Sequence, residues 1–418
     1  MQTNTSAEPP RTIELDSEHE FRFEVEFNKK VTLKLLKGTA EVFGTELAIN
    51  VTYTFTGRKA AVYTWHGCTL EISFFSIEYT ANETPMTSYL NTHLALQQIR
   101  ENAKQTNDQG PRVLVVGPHD VGKTSLCTLL AGYALRQGQK PIYVSLDTSE
   151  GSITMPGTVS ATNISTIIDV EEGFGASATT AASLGSSTMP LAYYYGYENP
   201  AENVNLFKLV TSRLAHTVKC RLAEDDESQK SGCIIDTAGL IDHVGYDLIQ
   251  HIIAEFDVNE NPNIQVVKLA KSGGVVERDK QFKNQLQRSK IQEYFYGTIK
   301  CDLSPYSTIL NLNDVNVWRV GESMAPSSAL PLGMESISTE TQVVKVDSSY
   351  EMCLHSILAI LNAENTTPES QLLETNVAGF IYVSDVDEER MKMTILSPAP
   401  GRLPRKHLLL GSFKWLEA

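Results

Sequence analysis

The sequence predicts an α/β fold in three parts: an N-terminal β-sandwich, a central domain built on a parallel sheet, and a small C-terminal α/β domain. Three observations predict it. Residues 21–27 and 31–35 alternate apolar with polar side chains, the period of half-buried strands. The apolar run Val113–Val116 leads into a glycine-rich loop and then into Leu126–Leu130, the order of strand, loop and helix. Beyond Pro305 short β-like runs recur. At 418 residues the chain is too long for one core, so domains are expected over 1–105, 106–303 and 304–418.

The N-terminal strands, between Ile13 and Tyr79, are broken by turns at Asn28–Lys30, Lys37–Gly38, Phe43–Gly44, Thr56–Gly57 and His66–Gly67. That spacing suits a small antiparallel sandwich. From Met86 to Asn102, Leu90, Leu94, Leu96 and Ile99 mark a helix, which polar residues 104–110 link to the next domain. Strand Arg112–Val116, a helix ending near Gln137 and strand Pro141–Leu146 make a βαβ unit, and Gly232–Thr237 is a further buried strand. Between them, Ala176–Met189 is rich in Ser, Ala, Thr and Gly, a composition that builds no packed core and predicts a loop. In the last part Val315–Trp318, Val343–Val346, Phe380–Val383 and Met393–Leu396 are expected as strands, and Cys353–Asn362 as a helix.

The loop Gly117–Ser125 reads GPHDVGKTS, the pattern G-x-x-x-x-G-K-[ST] with a strand before it and a helix after it. Glycines let backbone N–H groups curl around phosphate oxygens, and the helix aims its positive end at them. Gly117, Gly122, Lys123 and Thr124 hold the defining positions, and Asp120, Val121 and Ser125 complete the cradle. Lys123 is placed to reach β- and γ-phosphates and Thr124 to hold magnesium, with Asp236, the acid of the buried strand, supporting the metal.

Lys and Arg number 35 against 50 Asp and Glu, a net charge of −15 that disfavours indiscriminate adhesion to nucleic acid. Positive charge concentrates between Lys268 and Lys290, so any RNA contact must be local. No run of about 18 apolar residues occurs and the N-terminus lacks the basic start and apolar core of a signal peptide, so a soluble intracellular protein is expected. Six widely spaced cysteines with no C-x-x-C pair suggest neither a zinc site nor a disulfide framework.

Around the loop, the strings FGTELA, VYTWHGC, PGTVSA, KSGGVVER, EYFYG and LSPAPGRLP follow one another along nearly the whole chain. Together they resemble the polyribonucleotide 5′-hydroxyl kinase family, whose members serve as a subunit of the pre-mRNA cleavage and polyadenylation machinery. SGCIIDT, LQRSKIQEYFYG and PAPGRLP resemble its fungal branch. The resemblance implies a kinase-like central domain, ATP and Mg2+ as cofactors, and a nuclear location. It implies as partners the large scaffold subunit of the cleavage factor that contacts RNA polymerase II and other 3′-end processing subunits, with RNA met indirectly. It further implies that the N-terminal domain covers the adenine, with Glu20 and Lys59 touching the nucleotide. Asp147 matches the family's catalytic acid and a metal ligand. Arg278, Lys283, Arg288 and Lys290 fall in the lid whose arginines fold over the phosphates, and Asp147, Lys123 and Arg288 are the catalytic set if the chain is active.

Several departures weigh against turnover. Where active animal members carry D-x-x-Q-G, Asp147–Gly151 places Glu150, a second carboxylate beside the phosphates. Glu198-Asn199-Pro200 replaces a Thr-Thr-Pro acceptor loop, Leu240 replaces a tryptophan clasp, and Lys283 and Gln287 stand where arginines are expected. Losing base stacking forfeits about 1 to 3 kcal/mol per base, and losing one oriented donor costs about 100 to 1,000-fold in rate. Nucleotide binding needs none of these groups. The expectation is an ATP- and magnesium-binding scaffold subunit with little or no turnover; the alternative is an active RNA 5′-hydroxyl kinase. An unrelated P-loop hydrolase or GTPase is disfavoured, since no N-K-x-D string occurs. The segment Asp257–Val266 is shorter than the resemblance implies, with less room for a further strand and helix.

Overall fold

Alternation builds the N-terminal unit. Its strands are β1 (Arg11–Leu15), β2 (His19–Val25), β3 (Val31–Gly38), β4 (Glu41–Val42), β5 (Thr45–Glu46), β6 (Thr52–Phe55), β7 (Arg58–Thr64), β8 (Cys68–Ile72) and β9 (Ile77–Ala81). They form two antiparallel sheets, in the orders β1-β8-β3-β6 and β5-β4-β7-β2-β9. Val31, Leu33 and Leu35 of β3 point inward and meet Phe21, Phe23 and Val25 of β2, while Thr32 and Lys34 face out. In β2 the opposite face is buried too: Glu20 and Arg22 are 6% and 8% exposed, because that face roofs a cavity shared with the central domain. The computed structural model describes residues 10–73, 77–174, 190–240, 242–257, 264–271, 277–298, 300–322, 341–346 and 350–416. The loop expected over 176–189 lies outside them, as do residues 258–263.

Helix α1 (Met86–Thr106) leads out of the sandwich. Arg100 on its inner face is buried and donates from Nε to the Ser231 carbonyl at 2.9 Å, fastening the helix to the central domain. There follow β10 (Arg112–Val116), α2 (Lys123–Arg136), β11 (Ile142–Leu146), β12 (Thr158–Asn163), β13 (Leu191–Tyr194), α3 (Val204–Glu224), α4 (Asp226–Ser231), β14 (Cys233–Thr237), α5 (His243–Glu255), β15 (Ile264–Lys268) and α6 (Lys280–Tyr296). The sheet runs β13-β12-β11-β14-β10-β15, with β11, β14, β10 and β15 parallel. Their carboxyl ends form one rim, where ligands of open α/β sheets bind. Although the segment before it is short, β15 does close the sheet edge beside β10. After β12, residues 164–174 cross to the sandwich: Val170 enters its core, and Arg58 donates to the Val170 carbonyl at 2.6 Å.

The C-terminal unit is one mixed sheet of β16 (Tyr306–Asn311), β17 (Asn316–Glu322), β18 (Thr341–Lys345), β19 (Ser356–Leu361), β20 (Val377–Asp387), β21 (Lys392–Ser397) and β22 (His407–Lys414), in the order β16-β21-β20-β19-β22-β17-β18. The helix expected over Cys353–Asn362 is a correction: a 3-10 turn (Tyr350–Cys353) precedes strand β19. After Ser356, ILAIL is apolar throughout because both faces of β19 are covered. Ile357, Ala359 and Leu361 pack with Phe295 and Trp415 against the central domain, whereas Leu358 and Ile360 join the core beneath the sheet. Period 2 is therefore present, but hidden by burial on both sides. The three-part α/β architecture is otherwise the expected one.

Candidate nucleotide-binding site

The site begins where β10 ends. The two motif glycines serve different needs. A Cβ on Gly117 would lie 2.7 Å from the Leu269 carbonyl oxygen, so that position has no room. Gly122 has open space around it but a φ of +87°, the left-handed region that favours glycine. Asp120 also has a positive φ, 54°, which Asp tolerates better than most side chains. Val121 is buried at 2% exposure in the core behind the loop, so its contribution to the cradle is its backbone.

Lys123 opens α2, is 6% exposed, and donates from Nζ to the Pro118 carbonyl at 2.7 Å across the loop. Burial lowers its pKa, while Asp147, Asp236, Glu150 and Asp120 oppose that shift. Thr124 donates from Oγ1 to Asp236 Oδ2 at 2.7 Å, and Tyr143 donates to the same oxygen at 3.1 Å. Asp236 is fully buried on β14 and pushed up to about 7, first by burial; Thr124 counters this and Asp147 and Glu150 add to it. Its Oδ1 has no hydrogen-bond partner among the described residues. Asp147, just beyond β11, accepts at Oδ1 from the Ser149 N–H at 2.9 Å and from Ser149 Oγ at 2.6 Å. Parallel pairing of β11 with β14 sets Ser145 opposite Asp236, which brings the two acids to the same rim.

A cavity of about 1140 Å³ lies over this rim, between the sandwich, the loop and α6. Glu20, Lys59, Asp120, Val121, Gly122, Lys123, Thr124, Ser125 and Asp147 line it. Asp236 sits behind Thr124. Glu20 accepts from Arg22 Nε at 2.7 Å; Lys59 pairs with Glu24 at 2.9 Å and lies 5.1 Å from the centre of the Phe282 ring. Arg288 is exposed on α6 and does not line the cavity; Arg278, just before that helix, does. Arg278 donates from Nε to Asp120 Oδ1 at 2.7 Å and pairs with Glu150 at 2.5 Å, and Lys283 lies 3.3 Å from Asp120. The basic stretch before Lys290 is thus largely neutralised within the chain. No local string announces these long-range pairs, and only the resemblance to a lid pointed to Arg278.

A phosphate chain and a divalent cation suit these groups. The loop has open space over Gly122, and the unpartnered oxygen of the buried Asp236 offers a hard anionic donor beside the Thr124 hydroxyl.

Family models match the chain in three blocks: an N-terminal beta-sandwich domain of polyadenylation factor over 14–103, an mRNA cleavage and polyadenylation factor P-loop over 117–261, and a pre-mRNA cleavage complex II protein over 303–417. An mRNA cleavage and polyadenylation factor clp1 from Botryotinia fuckeliana is 43% identical over 97% of this chain and 93% of that protein. The chain belongs to the Clp1 family. A Clp1 of Rattus norvegicus described as a polyribonucleotide 5′-hydroxyl-kinase is 40% identical, covering 100% of this chain and 99% of its own. A solved Clp1p in complex with Pcf11p, from work on ATP loss in a point mutant, superposes with a TM-score of 0.84 at 28% identity over 98% of this chain and 99% of that one. As a Clp1-family cleavage and polyadenylation factor with an intact P-loop, the chain is a nucleotide-binding protein. Of the residues expected to stand in place of acceptor elements, Leu240 is buried in the central core, and the Glu198 carbonyl is held by the Thr148 hydroxyl at 2.7 Å. Among the described residues, no helix is long and apolar enough to cross a membrane.

Proposed function

We propose that the chain is the ATP- and Mg2+-holding subunit of the nuclear pre-mRNA 3′-end cleavage and polyadenylation machinery, with a scaffolding role and little or no turnover. The observation that carries this reading is the pairing of Thr124 with a buried, half-satisfied Asp236 under a cavity roofed by the sandwich. Thr124 and Asp236 would hold the cation, with Asp147 near it, and Lys123 and the loop amides the phosphates. Glu20 and Lys59 lie on the roof, where a base would rest. The ion would neutralise phosphate charge, and the bound nucleotide would add to the contacts that already join the two domains, such as Arg58 to the Val170 carbonyl and Tyr133 to Glu41. By likeness to the solved complex, its partner is a Pcf11p-type subunit of the cleavage factor. Arg278 and Lys283 are engaged by carboxylates, and Leu240 offers no stacking surface, which favours retention over transfer.

A second reading, an RNA 5′-hydroxyl kinase, is favoured by one observation: Asp147 lines the same cavity as Lys123 and could take the acceptor's proton. Transfer of labelled phosphate from ATP to a 5′-hydroxyl RNA oligomer, with Lys123→Ala as the blank, separates the two. The scaffold reading expects label at the level of the blank. Incorporation well above it would establish the kinase.

A further inference from the structure

We infer that Glu150 is a positioning residue of the lid: through Arg278 it latches α6 over the cavity and sets how long a nucleotide stays bound. The inference rests on the nucleotide-binding reading above and adds to it the residue that governs residence.

The Arg278 guanidinium joins two walls of the cavity. Its Nε and Nη2 lie 2.7 Å from Asp120 Oδ1 in the phosphate loop, and Nη2 lies 2.5 Å from Glu150 Oε1 beyond β11. The backbone N–H of Arg278 also reaches Asp120 Oδ2 at 3.3 Å. Further along α6, Gln287 Nε2 donates to the Ser149 carbonyl at 2.9 Å, next to Glu150. On the sandwich side, Phe282 packs on Phe27 with ring centres 5.2 Å apart. The lid is thus fastened to three separate walls by the chain's own groups; the charged fastenings are the Lys283–Asp120 pair at 3.3 Å and, closer, the Arg278 junction. Its side chains are only 8 to 24% exposed, so water screens it weakly. A nucleotide lying beneath α6 leaves only when these contacts break together. Glu150 would otherwise be a plain liability, a second carboxylate near phosphates.

Two opposite effects make the idea testable. If Glu150 acts mainly by repulsion, Glu150→Gln tightens the nucleotide and slows its release; if it acts as a latch, the same change speeds release. The measurement is stopped-flow dissociation of N-methylanthraniloyl-ATP with Mg2+ from the full chain, chased with unlabelled ATP. The single variants, the Glu150→Gln/Arg278→Ala double variant and the parent chain are compared, each with its melting point in the absence of nucleotide. Release from Glu150→Gln is expected to be about tenfold faster, the worth of one charge-assisted hydrogen bond. In the Arg278→Ala background Glu150→Gln should add nothing, because the carboxylate acts through that guanidinium. Unchanged or slower release overturns the latch. So does an equal acceleration in both backgrounds. Failure of the parent chain to bind the probe would overturn the nucleotide-binding reading itself, and the latch with it.

Discussion

Replacing Asp236 with asparagine should make the nucleotide-stripped protein more stable and the proposed Mg2+ site worse. Asp236 is fully buried, and the carboxyl is raised from 3.8 to about 7, chiefly by burial. Above both values the folded chain bears the full cost of keeping the charge. At about 1.36 kcal/mol for each pH unit that cost is roughly 4 kcal/mol, an upper figure because buried sites relax and admit water. Asparagine keeps an acceptor for Thr124 and Tyr143 but buries an amide N–H2 where Oδ1 lacks a partner, which takes back about 1 to 2 kcal/mol. The net gain is about 2 kcal/mol, read by calorimetry at pH 8 as a midpoint several degrees higher. Isothermal titration of the same variant should show ATP affinity that no longer depends on Mg2+. A variant less stable than the parent would mean that the ionised acid holds the fold through Thr124. Intact Mg2+ dependence would mean that the ion is held elsewhere. Either result refutes the reasoning.

Other outcomes follow from single features. Gly122→Ala has room but must hold φ at +87°, so it should cost about 1 to 2 kcal/mol in the melt and weaken ATP binding in titration, since the cradle shifts with the backbone. His93, buried on α1 against the Tyr133 ring, is lowered to about 4 by burial and then by Arg100. Its contribution is complete above its unfolded value near 6.5 and fades as pH falls toward 4, by up to about 3 kcal/mol; melts from pH 7.5 to 4.5 should show a shallower decline for His93→Gln. Phe295→Ala removes a fully buried ring stacked 5.8 Å from Trp415, at a cost of about 3 to 5 kcal/mol, and should make limited proteolysis release the C-terminal sheet early.

The phosphate loop was legible because its chemistry is local: glycine conformations, a lysine and a threonine must sit within nine consecutive residues, with a strand and a helix as neighbours. Strand β3 of the sandwich was legible for the same reason, since one more open face leaves alternation in plain view, and β2 because the face it turns to the cavity, though buried, carries charged residues. Strands β12 and β13 were not. TVSATN in β12 carries little apolar signal, and its conformation is imposed by backbone pairing with β11. SILAIL failed in the opposite sense, because burial on both faces removed the polar half of the period. Within the site, the partners of Asp120 and Glu150 come from a segment far along the chain. Opposite charge alone could not choose Arg278 over Arg288; the turn that starts α6 at Asp279 does, by holding Arg278 at the loop and sending Arg288 to solvent.

The central claim is that a triphosphate rests in the loop ahead of α2 and is kept there. Freshly purified chain, denatured and passed over an ion-exchange column with mass detection, should release close to one ATP per polypeptide, and Lys123→Ala/Thr124→Ala none. Protein that emerges free of nucleotide, and whose calorimetric trace is unmoved by added ATP and Mg2+, would contradict the claim; ADP in place of ATP would contradict retention without turnover.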